Sequence, residues 1–187
     1  IGRVLRALGE RGVADDTLIV FHPDHGEMLG AHRYFQKMVC YQEAIHLPLI
    51  VSPPGRCKPG RRRQLCSHVD IAPLILDYAR IPAPSRMQGK SLREEIERPL
   101  TPSREAVFSE YNGNVVLDVY QRTIVTERYQ YIWNMDATTE LYDLAEDPYQ
   151  LRNLSGRPGL SGVEADLRER LIAWMRETGD FLQGLDA

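Results

Sequence analysis

A run of apolar and β-branched residues leads straight into Pro-Asp-His-Gly: Thr17-Leu18-Ile19-Val20-Phe21-His22-Pro23-Asp24-His25-Gly26-Glu27. No other stretch constrains so strongly what this chain folds into. Its first half has the unbroken hydrophobicity of a strand buried on both faces, as in a parallel sheet. Its second half is then the loop at that strand's carboxyl end, where open α/β sheets bind ligands and metals. Asp24 and His25 set a hard carboxylate oxygen beside an imidazole nitrogen, a donor pair suited to a divalent cation with mixed O/N ligation. Gly26 lets the backbone turn directly after them. The competing account is structural: the same Asp and His cap a following helix or close a turn.

The residues that follow favour the first account. They run Asp24-His25-Gly26-Glu27-Met28-Leu29-Gly30-Ala31-His32-Arg33-Tyr34-Phe35-Gln36-Lys37. This segment resembles the sulfatase family of the alkaline-phosphatase-like superfamily. In that family a strand ends in Asp-His-Gly or Asp-Asn-Gly, a Gly-rich segment follows, and then comes a lysine that holds the substrate's sulfate. The resemblance implies that Asp24 and His25 are two of four metal ligands and that Lys37 is the catalytic sulfate-binding lysine. A His at the second ligand position is closest to the choline-sulfatase and phosphonate-monoester-hydrolase-like branch. Many arylsulfatases carry Asn there and bind calcium. A nitrogen ligand moves the preference toward manganese, so the expected divalent metal is Ca or Mn.

The chemistry of such esters asks for the same groups. A sulfate or phosphate ester is an anion that gains charge during hydrolysis. A divalent metal neutralises part of that charge, and an amine opposite it stabilises the rest. Lys37 follows Tyr34-Phe35-Gln36, so its stem is expected to cross an apolar wall while its head reaches the anion. An ordinary surface lysine is the alternative. His32 is a candidate substrate contact, or else a loop histidine with one hydrogen bond. Glu27 is a candidate acceptor behind a metal-bound imidazole, or else a helix-start carboxylate. His22, His46 and His68 read as structural.

Composition sets the outer limits. The chain has 187 residues, 43% of them hydrophobic, which is enough for one substantial domain or a domain with a small lobe. A net charge of -3 gives no global pull toward nucleic acid or anionic lipid. No apolar run approaches the ~20 residues of a membrane span. Neither nucleic acid nor membrane is therefore an expected partner, and a homo-oligomer is compatible with the sequence. Three cysteines make no disulfide framework, so a reducing compartment such as the cytoplasm is preferred. Ile1 opens in mid-pattern, which reads as a segment of a longer protein.

Along the chain, Val4, Leu5 and Leu8 recur at helical spacing in an amphipathic helix over 1–12. A short helix is expected over about 40–46 and a second strand at 47–51, in the same sheet as 17–21. Arg56-Cys57-Lys58-Pro59-Gly60-Arg61-Arg62-Arg63 is a basic loop, either a solvated turn or an anion contact. Asp70 is expected to cap a helix whose apolar face is Ile71, Leu74, Ile75 and Tyr78. Composition shifts near 98–104. Beyond it, Ala106–Tyr111, Tyr120–Val125, Tyr129–Trp133 and Glu140–Leu144 read as short antiparallel strands. Ser161 and Glu164 form a capping-box pattern ahead of a helix that lays Val163, Leu167, Leu171, Trp174 and Met175 over the sheet. Glu140-Leu141-Tyr142-Asp143-Leu144, Asp147-Pro148 and Asn153-Leu154 closely resemble the sulfatase C-terminal signature.

The expected fold is thus α/β: the C-terminal part of an alkaline-phosphatase-like α/β sandwich domain over 1–98, carrying half of the metal site. A small antiparallel sheet packed by a C-terminal helix follows over 99–187. The family's nucleophile is a formylglycine made from the cysteine of Cys-x-Pro-Ser-Arg, with an Asp-Asp pair supplying further metal ligands. Neither precedes Asp24. Cys57-Lys58-Pro59-Gly60-Arg61 imitates the motif, but with Gly60 in place of serine and on the wrong side of the metal loop. The expectation is a C-terminal portion of a metal-dependent sulfuric ester hydrolase, inactive alone, acting on a small-molecule sulfate or phosphonate ester. The alternatives are a phosphonate monoester or phosphodiester hydrolase of the same superfamily, and a non-catalytic anion-binding module.

Overall fold

The periodicity of Val4, Leu5 and Leu8 does produce a helix, α1 (Gly2–Glu10), though none of its residues is buried. In this computed structural model, residues 1–55, 59–98, 104–113, 119–135 and 137–182 are described. Cys57 and its mimic of a nucleophile motif lie outside them. The chain forms two compact units, one of Ile1–Pro23 with Pro48–Arg104 and one of Asp24–Leu47 with Glu105–Ala187. The sequence groups 24–47 with residues 1–98. In space this segment packs with the C-terminal residues, because the strands there offer it buried hydrogen-bond partners, described below.

In the first unit, β1 (Ile19–Phe21) pairs with β2 (Ile50–Ser52) in antiparallel register, Val20 opposite Val51. The expectation of a doubly buried parallel strand is corrected here: Phe21 and Ile50 are both exposed. An apolar run reports a capacity for burial, whereas strand direction is set by the connection between strands. β2 starts later than the expected 47–51 because Pro48 brings no N–H to the ladder. Helix α3 (Ile71–Tyr78) buries Leu74 and Pro73, while Ile75 stays exposed. Asp70 sits fully buried at its head. Its carboxylate accepts from the backbone N–H groups of Ser67 (2.8 Å) and Lys90 (2.9 Å) and from Arg104 Nη2 (2.8 Å). A buried carboxylate is tolerable only when paired and hydrogen-bonded in this way. A short helix, α4 (Arg93–Glu97), ends the unit's regular structure.

The second unit is built on an antiparallel sheet in sequential order: β3 (Ala106–Asn112), β4 (Tyr120–Thr126), β5 (Tyr129–Asn134) and β6 (Glu140–Asp143). The period-2 alternation of strands sends neighbouring residues to opposite faces. Ile124, Tyr131 and Leu141 face helix α5 (Ser161–Thr178) and form one core with its Leu167, Leu171 and Met175. Each such fully buried apolar side chain stabilises the fold by roughly 1.5–3 kcal/mol. The opposite face packs Ile132 and Tyr142 against Cys40 and Tyr41 of the 24–47 segment. The expected capping box at Ser161 and Glu164 is replaced by a different device. Ser161 Oγ donates to the Pro158 carbonyl (3.0 Å), and the Glu164 carboxylate accepts from Ser155 Oγ (2.5 Å) and Gly156 N (2.9 Å). Glu164 thus ties the helix to the turn before it instead of to its own cap. The helix ends at Gly179 in the left-handed conformation (φ 69°).

Candidate metal and anion site

Asp24, His25, Glu27, His32 and Lys37 all lie in one loop that packs on helix α2 (Gln42–Ile45). Gly26 N donates to the Ala44 carbonyl (2.9 Å) and Glu27 N to the Glu43 carbonyl (3.1 Å). A Cβ on Gly26 would stand 1.9 Å from the Glu43 oxygen. Glycine is therefore required here for close backbone approach; its φ is not left-handed, so the expected reason, turn freedom, is not the operative one. Gly26→Ala is expected to cost about 1–3 kcal/mol by overpacking. Thermal denaturation should then show Tm lowered by about 2–12 °C for a chain of this size.

The geometry at His25 is specific. Its Nδ1 lies 2.7 Å from the Gly26 carbonyl oxygen, which can only accept, so Nδ1 carries the proton. A ring that carries only this proton presents its Nε2 lone pair 3.4 Å from Asp24 Oδ2. Two acceptors that face each other need a cation between them or a proton on Nε2. Pinning one ring nitrogen to a carbonyl while the other is left for a metal is the usual arrangement of a ligating histidine. Asp24 Oδ1 accepts from the His25 backbone N–H (3.0 Å). This hydrogen bond, then one from Asp24's own amide, hold the carboxyl below its ordinary range, and the charge of Lys37 adds to the effect. The carboxylate is thus ionised at neutral pH and lies within the field of the Lys37 ammonium. These residues fit a divalent cation. Among the described residues, no group of three His, Cys, Asp or Glu comes together to hold one.

Glu27 and His32 behave differently from expectation. The Glu27 carboxylate accepts from the backbone N–H groups of Gln36 and Leu29 (3.4 Å for the latter). It is neither behind the imidazole, whose Nδ1 is taken by Gly26, nor at a helix start. His32 has a left-handed backbone (φ 51°) and lies flat on Tyr41, with centroids 4.0 Å apart and planes 3° from parallel. Its Nε2 is shielded from solvent and has no hydrogen-bond partner among the described residues. In the other unit, His22 packs its ring on His68 at 5.1 Å.

Sequence reasoning missed what anchors this loop. Gln121 Oε1 accepts from Cys40 N (2.9 Å), and Gln130 Nε2 donates to the Cys40 carbonyl (2.6 Å). Gln150 Oε1 accepts from Gln42 N (2.8 Å), and Gln42 Nε2 donates to Gln130 Oε1 (2.8 Å). Gln121, Gln130 and Gln150 are all buried. Uncharged amides at Gln121 in β4 and Gln130 in β5 were the available signal; Gln150, which lies beyond β6, offered none. Tyr41 adds a hydrogen bond to Glu140 Oε2 (2.8 Å). The Cys40 thiol, pushed up to about 12 mainly by burial, stays neutral. Cys66 is exposed. In the basic loop, Arg62 is occupied by the Glu95 and Ile96 carbonyls, at 3.0 and 3.2 Å.

The chain is similar in sequence and fold to a known group of hydrolases. The family model for the C-terminal part of N-sulphoglucosamine sulphohydrolase matches residues 30–177, and the chain belongs to that sulfatase family. It is 33% identical over 159 residues to an arylsulfatase of Clostridium perfringens, covering 82% of this chain and 32% of that protein. Among solved structures, it superposes with TM-score 0.84 and 30% identity on a protein bound to its substrate D-glucosamine-2-N,6-O-disulfate. It superposes equally well, at TM-score 0.84 and 30% identity, on a phosphonate monoester hydrolase of Silicibacter pomeroyi. Each match covers 96% of this chain and 38% of the other. The chain spans about a third of the length of the curated relatives it matches.

Proposed function

We propose that this chain is the C-terminal part of a metal-dependent sulfuric ester hydrolase and carries half of its metal shell together with its anion clamp. Asp24 and His25 would hold the divalent cation, Ca or Mn, and Lys37 would hold the sulfate. The observation that carries this reading is the locked His25 ring, whose free nitrogen converges with Asp24 Oδ2 within the field of Lys37. The chemistry supplied by the cation when bound is neutralisation of charge on the ester's non-bridging oxygens. The remaining ligands and a formylglycine nucleophile would come from sequence preceding Ile1, so the 187-residue chain alone is inactive. A phosphonate monoester is the second substrate reading, supported by the likeness to the Silicibacter pomeroyi enzyme.

The test uses the natural protein that contains this sequence, with 4-nitrophenyl sulfate and a 4-nitrophenyl phosphonate monoester as substrates. Sulfate turnover is expected to dominate and to vanish in Asp24→Ala and His25→Ala. Calorimetric titration with Mn²⁺ and Ca²⁺ should show affinity weakened in the same variants, since ligand count sets affinity. Undiminished turnover in both variants would remove the site, and preferred turnover of the phosphonate would move the enzyme to the second reading. Robust hydrolysis by the isolated 187-residue chain would disprove its dependence on upstream sequence.

A further inference from the structure

Backbone strain in this chain is concentrated in one place. Among the described residues, six non-glycine positions have left-handed φ, and four of them fall between His25 and Lys37: Leu29 (47°), His32 (51°), Arg33 (66°) and Gln36 (68°). Gly30 joins them at 95°. Such conformations cost free energy in L residues and persist only where the surroundings over-determine them. The question is what over-determines them here.

Much of the restraint passes through Glu27 and Met28. The Glu27 carboxylate receives the N–H of Gln36 and, at 3.4 Å, that of Leu29, at the two ends of the strained run. Met28 N donates to the Gln36 carbonyl at 2.8 Å. Gln36 is therefore held by its N–H through Glu27 and by its C=O through Met28, and the next residue is Lys37. Met28 itself is buried against Val39 and Ala44, so the base of the clasp is fixed. A second closure, Gly30 N to the Tyr34 carbonyl (2.9 Å), narrows the loop inside it. Hydrogen bonds from backbone amides to a carboxylate are charge-assisted and stronger than those to a neutral acceptor.

We propose that Glu27 is a positioning residue for Lys37: its carboxylate clasps the strained 29–36 loop shut and so sets where the lysine's ammonium stands relative to Asp24. This rests on the reading of Asp24, His25 and Lys37 given above. Glu27 spends its carboxylate on backbone amides and so acts through the main chain of Gln36. A displacement of Lys37 by an ångström is enough to matter, because charge stabilisation depends on fixed placement of the donor.

The experiment measures kcat and KM for 4-nitrophenyl sulfate in the natural protein with Glu27→Ala, Glu27→Gln, Lys37→Ala and the double variant Glu27→Ala/Lys37→Ala. Glu27→Ala is expected to lower kcat/KM by about 10²-fold. Glu27→Gln, which keeps an acceptor oxygen, should recover most of that loss. The double variant should be no slower than Lys37→Ala, since two residues acting through one group are non-additive. Amide hydrogen exchange supplies a readout without turnover: protection at Leu29 and Gln36 is lost in Glu27→Ala and kept in Glu27→Gln. If Lys37→Ala alone keeps full turnover, the site reading fails and this proposal with it. If Lys37→Ala is impaired but Glu27→Ala is not, or their losses add in full, only the positioning role is overturned.

Discussion

Replacing Lys37 by alanine is expected to lower kcat for an aryl sulfate by about 10²–10³-fold, the loss typical of removing one preorganised donor from a developing anion. Steady-state kinetics on the natural protein check it. The expectation follows from the role proposed for Lys37, an exposed lysine whose charge is felt by Asp24. Asp24 is ionised, and the lysine's charge contributes to keeping it so. An ammonium in that field becomes most useful when an anion arrives, because the ester oxygens then lie among positive groups. The loss should appear in kcat as well as KM, since charge on the ester grows toward the transition state. Lys37→Arg is not expected to restore the rate. A planar guanidinium on a strained loop cannot place its charge where a compact ammonium does. An unchanged kcat in Lys37→Ala would mean that the amine does not meet the reacting group.

Asp180→Ala is expected to be among the most destabilising single changes in the second unit, costing about 3–5 kcal/mol. Arg122 on β4 is fully buried and Asp180, just past α5, nearly so. Asp180 Oδ2 receives Arg122 Nε and Oδ1 receives Nη2 at 2.9 Å, a two-pronged pair. Arg122 Nη1 also donates to the carbonyls of Tyr111 (3.2 Å) and Gln121 (2.8 Å). Removing the carboxylate leaves the buried guanidinium with two carbonyls and the half-exposed Glu110 Oε2 at 3.7 Å, without its buried counter-charge, which is worse than never having buried it. At about 2–4 °C per kcal/mol, thermal denaturation should register a fall of about 6–20 °C. The pair also sets a pH dependence. Hydrogen bonding from Arg122 is the first cause that holds the Asp180 carboxyl below its usual range. A carboxyl depressed in the folded state stabilises fully above its unfolded value of about 3.9, and that contribution is lost as pH falls through the depressed value. Tm of the parent sequence should therefore drop in acid, and Asp180→Asn should flatten that part of the profile. A flat parent profile across the acid range would exclude the linkage. The consequence reaches the site, because β4 also carries Gln121, whose side chain holds Cys40.

Much of the second unit was legible residue by residue. Strands at Ala106–Asn112, Tyr120–Thr126, Tyr129–Asn134 and Glu140–Asp143 follow from alternation with short links, and α5 from the spacing of Leu167, Leu171 and Met175. Such patterns are local, and local chemistry suffices to read them. The capping pattern at Ser161 misled for the same reason. Glu164 had a better partner in Ser155, and a motif cannot rank its competitors. The pairing direction of β1 and β2 was illegible because it depends on how 28 intervening residues, 22–49, are routed.

For the candidate site, the types and spacing of Asp24, His25 and Lys37 were legible in the sequence, since a carboxylate and an imidazole suit a cation and an amine suits an anion. The sequence also carried the family. Tertiary structure alone decided that Nδ1 of His25 is spent on a carbonyl, that Glu27 serves main-chain amides instead of an imidazole, and that buried glutamines of the small sheet hold the loop. The physical reason is that a side chain's hydrogen-bond partner depends on which backbone groups arrive within about 3 Å of it. For Cys40 and Gln130 that partner lies 90 residues away along the chain.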